Sequence, residues 1–188
     1  MPARLAFVVA GPAGSGKSTL ARALATRTGA VLLDQDVLTN ALLDGLAEGA
    51  GLIGHWNDPQ HRSWVRPARY AALRAVAADQ VRLGRDVVLV APFTAELGGG
   101  EEWHLLRAAL APAETSVLWL DAPASVLAAR LQERGEPRDR RWASPEPATQ
   151  LDAPRVPHVR VDGTRPTVEQ LAGVLGGWQE GAAGTTGA

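Results

Sequence analysis

The sequence predicts an α/β fold in three layers, a five-stranded parallel sheet flanked by helices. Two observations carry that prediction. Short apolar runs alternate with longer stretches of helical periodicity along the chain, the pattern that parallel strands joined by crossover helices require. The first apolar run then passes directly into Gly11-Pro12-Ala13-Gly14-Ser15-Gly16-Lys17-Ser18. That segment fits G-x-x-x-x-G-K-[ST], a glycine-rich turn between a strand and a helix whose backbone cradles phosphate.

Each element follows in order. Residues 4–10 form the first strand, ending in the glycine turn, and a helix over 16–28 is stopped by Gly29. The free N–H groups and dipole at that helix's start favour a phosphate. Residues 30–33 form the second strand, with Asp34-Gln35-Asp36 at its C-terminal end, the edge where open parallel sheets bind ligands. Residues 37–65 are less regular and read as an inserted helical segment carrying His55-Trp56-Asn57-Asp58, His61, Arg62 and Trp64. In a helix over 67–83, Tyr70, Leu73, Ala77 and Val81 share a face and Gly84 ends the element. The third strand, 86–91, leads into Pro92-Phe93-Thr94. Gly98-Gly99-Gly100 is a flexible joint before a helix over 101–110. The fourth strand covers 115–120, and a helix over 123–134 opens on a proline in its first turn. Residues 135–149 are polar and rich in Pro and Arg, a mobile stretch by composition. The fifth strand, 156–161, turns at Asp162-Gly163-Thr164 into a last helix over 167–178. Residues 181–188 are Gly, Ala and Thr alone and read as a flexible tail after a single domain of residues 1–180.

Composition narrows the function. A chain of 188 residues holds one domain with a proper core, and a net charge of −1 argues against a nucleic-acid partner. The absence of cysteine excludes disulfides and thiolate chemistry, and no His/Cys/Asp set has the spacing of a zinc site. No apolar stretch is long enough to cross a membrane, and the first apolar run is too short for a signal segment. Lys17 is the only lysine in a chain whose other basic side chains are all arginine. A compact ammonium on a flexible stem suits the β- and γ-phosphates of a nucleotide.

The loop, the acidic triplet and a pair of arginines together resemble the P-loop kinases of small molecules. This AAA-type ATP-binding group includes nucleoside monophosphate, shikimate and gluconate kinases and chloramphenicol phosphotransferase-like enzymes. The resemblance spans about residues 4–178. It implies a P-loop NTPase fold with strand order 2-3-1-4-5, a substrate insert at about 37–70 and an arginine-rich lid at about 135–150. It also implies ATP (GTP is possible) with Mg²⁺, a hydroxylated small-molecule acceptor, a cytoplasmic location, and a monomer or homodimer. Gly11, Pro12, Ala13, Gly14, Ser15, Gly16, Lys17, Ser18 and Thr19 would bind the nucleotide, with Ser18 on the metal. Related kinases often carry an acid or a D-x-D pair after the second strand. If the extended geometry continued through the triplet, both carboxylates would face the site, since residues two apart on a strand point the same way. Asp34 is then assigned to the metal and Asp36 to the catalytic base, with the reverse assignment and a helix-capping role as alternatives. Arg130 and Arg134, four apart on one helix face, would pack over adenine and reach the phosphates, making Arg134 catalytic beside Lys17. One or two of Arg138, Arg140 and Arg141 would supply further lid contacts, with the choice among them open. The Gly163-Thr164 turn would touch adenine through its backbone.

The acceptor is expected between the second strand, the insert and the 92–94 edge. Its candidate contacts are Asp36, His55, Trp56, Arg62, Arg66, Arg69, Tyr70 and Phe93, with Asn57 and Asp58 beside them. Aromatic side chains offer a stacking wall and arginines a bidentate grip on a carboxylate or phosphate. The third strand ends without an acid, which disfavours a motor ATPase. The function expected is transfer of the ATP γ-phosphate to a hydroxyl of a sugar, sugar acid, nucleoside or antibiotic-like alcohol. The alternatives are a nucleotide-binding regulator with a protein partner and a 5′-hydroxyl polynucleotide kinase.

Overall fold

The computed structural model describes residues 4–50, 55–135 and 152–184. Its strands are β1 (Leu5–Ala10), β2 (Val31–Asp34), β3 (Val87–Val90), β4 (Glu114–Asp121) and β5 (Val159–Asp162). Its helices are α1 (Lys17–Thr28), α2 (Gln35–Ala50), α3 (Arg62–Arg82), α4 (Glu101–Leu110), α5 (Ala124–Arg134) and α6 (Thr167–Gly184). The strands form one parallel sheet in the order β2-β3-β1-β4-β5, the order expected.

Alternation along β1 sorts the core into two halves. Leu5, Phe7 and Val9 point to the side covered by α1 and α6, where they meet Leu20, Leu24 and Val174. Ala6, Val8 and Ala10 point to the side covered by α3 and α4, where they meet Leu73, Ala77, Leu106 and Leu110. Every residue of β1 is buried, as a strand covered on both faces must be. A smaller cluster of Leu43, Trp56 and Val65 holds α2 against α3. Among the described residues no helix is long and apolar enough to cross a membrane.

Register puts the sheet's C-terminal edge in line. Asp34 pairs with Val90, and Val90 with Val9, two residues before Gly11. The chain leaves β1 at Gly11 with φ 143°, where an added Cβ would lie 2.3 Å from the Leu120 carbonyl oxygen. Only glycine fits there.

Several elements depart from the sequence-based expectation. The strand ends at Asp34, and Gln35 already begins α2, a continuous helix through residues expected to be irregular. The extended Asp34-Gln35-Asp36 segment is therefore corrected: Asp34 Oδ1 accepts the Asp36 N–H at 3.0 Å and caps the helix. α3 starts at Arg62, with Pro67 inside it. Proline there removes one N–H from the helical ladder near its start, a loss the later turns sustain. β5 begins only at Val159, because Pro157 has no N–H for a ladder and Val156 is drawn into the core beside α3 and α4. α6 continues to Gly184, into the stretch read as tail. Within the expected glycine joint at 98–100, Gly98 closes a short 3-10 turn, Glu96–Gly98, and Gly100 caps α4.

Candidate active site

The glycine loop wraps the start of α1, whose N-cap Gly16 is left-handed and whose first turn has no acid. An anion there meets free N–H groups and the positive end of the helix dipole. Lys17 is half-buried and donates from Nζ to the Pro12 carbonyl at 2.7 Å, bracing its own loop. Burial pushes its ammonium down to about 8; nearby Asp36 and Asp34 pull it up, and Arg134 pushes it further down.

Ser18, the next residue, reaches across the edge of the sheet. Its hydroxyl donates to Asp34 Oδ2 at 2.9 Å, which joins α1 to the end of β2. A hydroxyl beside a carboxylate is a hard oxygen pair, and it fits Mg²⁺, which takes few protein ligands and keeps water and phosphate oxygens. Among the described residues no group of three His, Cys, Asp or Glu side chains could hold another metal.

Asp36, on the first turn of α2, is half exposed and takes a bond from Arg69 Nη2 at 2.5 Å. Arg69 also donates to Thr39 Oγ1 at 2.8 Å and Asn40 Oδ1 at 2.9 Å, and its guanidinium lies 4.9 Å from the Trp56 ring centre. Trp56 in turn donates to Asp44 Oδ1 at 2.6 Å. Thr39, Asn40 and Asp44 were not anticipated as part of this network. Their only sequence signal is helical spacing from Asp36, which becomes readable once α2 is known to begin at Gln35.

One cavity of about 570 Å³ runs from the loop to α3. Lys17, Ser18, Asp34, Asp36 and Arg134 line one end, and Trp56, Asn57, Arg62, Arg66, Arg69 and Tyr70 line the other. Three expected contacts, His55, Asp58 and Phe93, do not line it, and Asp58 accepts the His55 N–H at 2.8 Å. Phe93 is fully buried in the core, edge-on to Tyr70 at 5.6 Å. Its φ of 50° is unusual for a residue with a side chain, and its N–H donates to the Tyr70 hydroxyl at 2.9 Å. The ring goes inward while Pro92 and Thr94 face the cavity instead. His55 is exposed, beside the lining, with its ring 4.7 Å from that of Trp56. Behind the wall sits Glu96, a buried acid with no local sequence signal. It takes a bond from Arg66 at 2.8 Å, and burial raises its carboxyl above the usual range despite that arginine. Burial likewise raises the Tyr70 phenol, with Glu96 adding to the effect.

A second hollow of about 210 Å³ opens on the other side of Lys17, between Gly14, Thr19, Arg130, Leu131 and Arg134. Arg130 is more constrained than a base-covering residue would be: Nη1 donates to the Gly163 carbonyl at 2.9 Å and to that of Gly14 at 3.3 Å. Gly163 donates to the Asp121 carbonyl at 2.7 Å, and a Cβ on it would lie 2.8 Å from the Ser15 carbonyl oxygen. Thr164 turns its N–H and hydroxyl to Asp162, which lowers the Asp162 carboxyl. Gly163 thus locks the turn against the loop, and neither it nor Thr164 lines either hollow. Asp121, the last residue of β4, pairs with Arg160 at 2.6 Å. Arg138, Arg140, Arg141 and most of the expected lid lie outside the described residues.

A parallel sheet in this order, with a glycine loop between β1 and α1 and a carboxylate at the end of β2, is a P-loop nucleotide-binding fold. The profile of the AAA domain family matches residues 7–153, and the chain belongs to that family. No curated protein matches it. Solved structures of similar fold include three kinases. The first is a provisionally assigned kinase of Chloroflexus aurantiacus J-10-fl, 24% identical with a TM-score of 0.67, covering 95% of this chain and 97% of its own. The second is a gluconokinase of Sinorhizobium meliloti 1021, 23% identical with a TM-score of 0.63, covering 97% and 95%. The third is the APS kinase CysC of Mycobacterium tuberculosis in complex with AMPPNP and APS, 20% identical with a TM-score of 0.59, covering 94% and 98%.

Proposed function

We propose that this protein is a phosphotransferase that moves the γ-phosphate of Mg-ATP to a hydroxyl of a small molecule. The observation that carries the reading is the single cavity that sets Lys17, Ser18 and Asp34 beside Asp36 and an acceptor wall. The loop N–H groups and Lys17 hold the β- and γ-phosphates. Ser18, with Asp34 through water, would hold Mg²⁺, which supplies charge neutralisation on the phosphates. The acceptor hydroxyl lies against Asp36. Its oxygen forms the new bond to the γ-phosphorus, its proton passes to Asp36, and the bond from that phosphorus to the ADP oxygen breaks. Arg134 meets the charge that grows on the transferring phosphate. The reading implies the cytoplasm, where Mg-ATP is available. Gly163 and Thr164 line neither hollow and so give no ground for adenine over guanine, and ATP and GTP are both tested.

Nucleotide turnover, read as ADP or GDP release, is measured without acceptor and then with pools of hydroxylated metabolites. The expected result is stimulation by a pool, with Asp36→Asn cutting that increment by about 10²–10⁴-fold. Turnover no better with any pool than with water, alike in both proteins, would overturn the proposal.

A further inference from the structure

The acceptor wall has more hydrogen-bond donors than acceptors. Arg62, Arg66 and Arg69 line the cavity at spacings of four and three residues along α3, which puts them on one helix face. Arg69 is committed, since Asp36, Thr39 and Asn40 take its N–H groups. Arg66 is only half committed. It gives one end-on bond from Nη2 to Glu96 Oε2, and Glu96 Oε1 has no partner. The guanidinium lies 4.3 Å over the Tyr70 ring centre, so its plane is held while the rest of its fork has no acceptor among the described residues. Arg62, one turn earlier, is exposed, and its side chain makes no hydrogen bond or ion pair among the described residues.

Acceptors on the same wall are few. Asp36 is shared with Arg69, and the Tyr70 hydroxyl already receives the Phe93 N–H. Asn57 and Gln35 can each offer one amide oxygen, and the Thr94 hydroxyl can accept or donate. A neutral polyol brings as many O–H donors as oxygens and would leave guanidinium N–H groups facing hydroxyls that need acceptors themselves. An anion brings oxygen lone pairs alone, in the planar spacing that a guanidinium fork matches.

We infer that the alcohol phosphorylated here carries an anionic group, a carboxylate, phosphate or sulfate, seated on Arg62 and Arg66; this rests on the phosphotransferase reading above. At 1.5 Å of rise per residue, Arg66 and Arg62 stand about 4.5 and 10 Å along the helix from Arg69, the residue that holds the base. Anion and reacting hydroxyl are therefore separated by on the order of 5–10 Å, the span of a hydroxy acid with about five or six carbons or of a sugar phosphate ester.

The test divides the acceptor pool by charge into neutral polyols and nucleosides, hydroxy carboxylates, and phosphate or sulfate esters of the same carbon skeletons. Turnover is run with wild type, Arg62→Gln and Arg66→Lys. Lysine at 66 keeps a charge for Glu96 but lacks the fork. The expected result is stimulation by an anionic pool, with each substitution raising the acceptor KM about ten- to a hundredfold and kcat changing less. Which anionic pool acts names the group. Stimulation by the neutral pool alone overturns the inference and leaves the phosphotransferase standing. Stimulation by an anionic pool with a KM indifferent to both substitutions does the same. No stimulation by any pool removes both.

Discussion

Lys17 braces the loop through Pro12, and in the proposed function it also meets phosphate, so its proton would report the change between the two. In the free chain burial holds its ammonium at about 8, against 10.5 when unfolded. The unfolded chain therefore binds more protons between those values, and stability rises with pH across that window. A triphosphate placed against Nζ raises the folded value again. Nucleotide binding at pH 8 should then take up about half a proton, read by calorimetry in two buffers of unlike ionisation heat. Lys17→Met should abolish the uptake; uptake that survives would place the titrating group elsewhere. Asp36 is a base only if its carboxylate is aimed, and Arg69 aims it, tied at once to Thr39, Asn40 and the Trp56 face. Arg69→Lys keeps the charge and loses the fork. It should lower kcat about ten- to a hundredfold, with a smaller change in acceptor KM and little change in melting temperature. A loss of KM alone would make Arg69 an acceptor contact instead.

Between elements, the loop is clamped from two sides. Gly14 lies under α5, where a Cβ would sit 3.0 Å from the Leu127 carbonyl oxygen, and Arg130 ties Gly14 to the Gly163 turn that follows β5. Arg130→Met removes both bonds and leaves two carbonyls to water. Thermal unfolding should move down by several degrees and nucleotide Kd should rise about tenfold, as the turn no longer holds the loop. An unchanged Kd would show that the loop holds its shape without the clamp. The clamp was half legible beforehand. The i, i+4 spacing of Arg130 and Arg134 identified the helix face, but their division of labour was not visible, because Gly14 and Gly163 meet only in three dimensions. The same limit explains the other gaps. Strands and helix stops were readable because apolar alternation and glycine act locally; α4 came out with the bounds expected. Whether Asp36 continues a strand or opens a helix turns on one bond to Asp34. Phe93 was misplaced because a positive φ inverts the facing of one residue between two correct neighbours. Glu96 had no signal, since a buried acid is marked only by the arginine, thirty residues earlier, that meets it.

For the molecule as a whole, the two ends of the site rest on supports of different strength. The loop end, proposed to take the nucleotide, stands on β1, β3 and β4, buried on both faces by the two large clusters. The end proposed to take the acceptor stands on α2 and residues 55–61, held to α3 by Leu43, Trp56 and Val65 and by the Arg69 bonds. The outer side of α2 exposes Val37, Leu42 and Leu46, so little apolar burial secures it. Local opening of α2 should therefore cost far less than global unfolding, and the acceptor wall should be the first part of the fold to open. Hydrogen exchange should find the amides of α2 and 55–61 fast in the free protein and those of β1 and β4 slow. Nucleotide alone should slow the loop and α1. Slowing across α2 should need the acceptor as well, because the proposed acceptor would add a bridge from Asp36 to Arg62 and Arg66 beyond the existing Arg69 bond. Trp56→Ala removes the centre of the small cluster. It should speed exchange in α2 strongly and raise acceptor KM, while the exchange of β1 stays as it was. If β1 accelerated in step with α2, the two supports would be one cooperative unit, and closure of the acceptor wall could not be separated from the stability of the core.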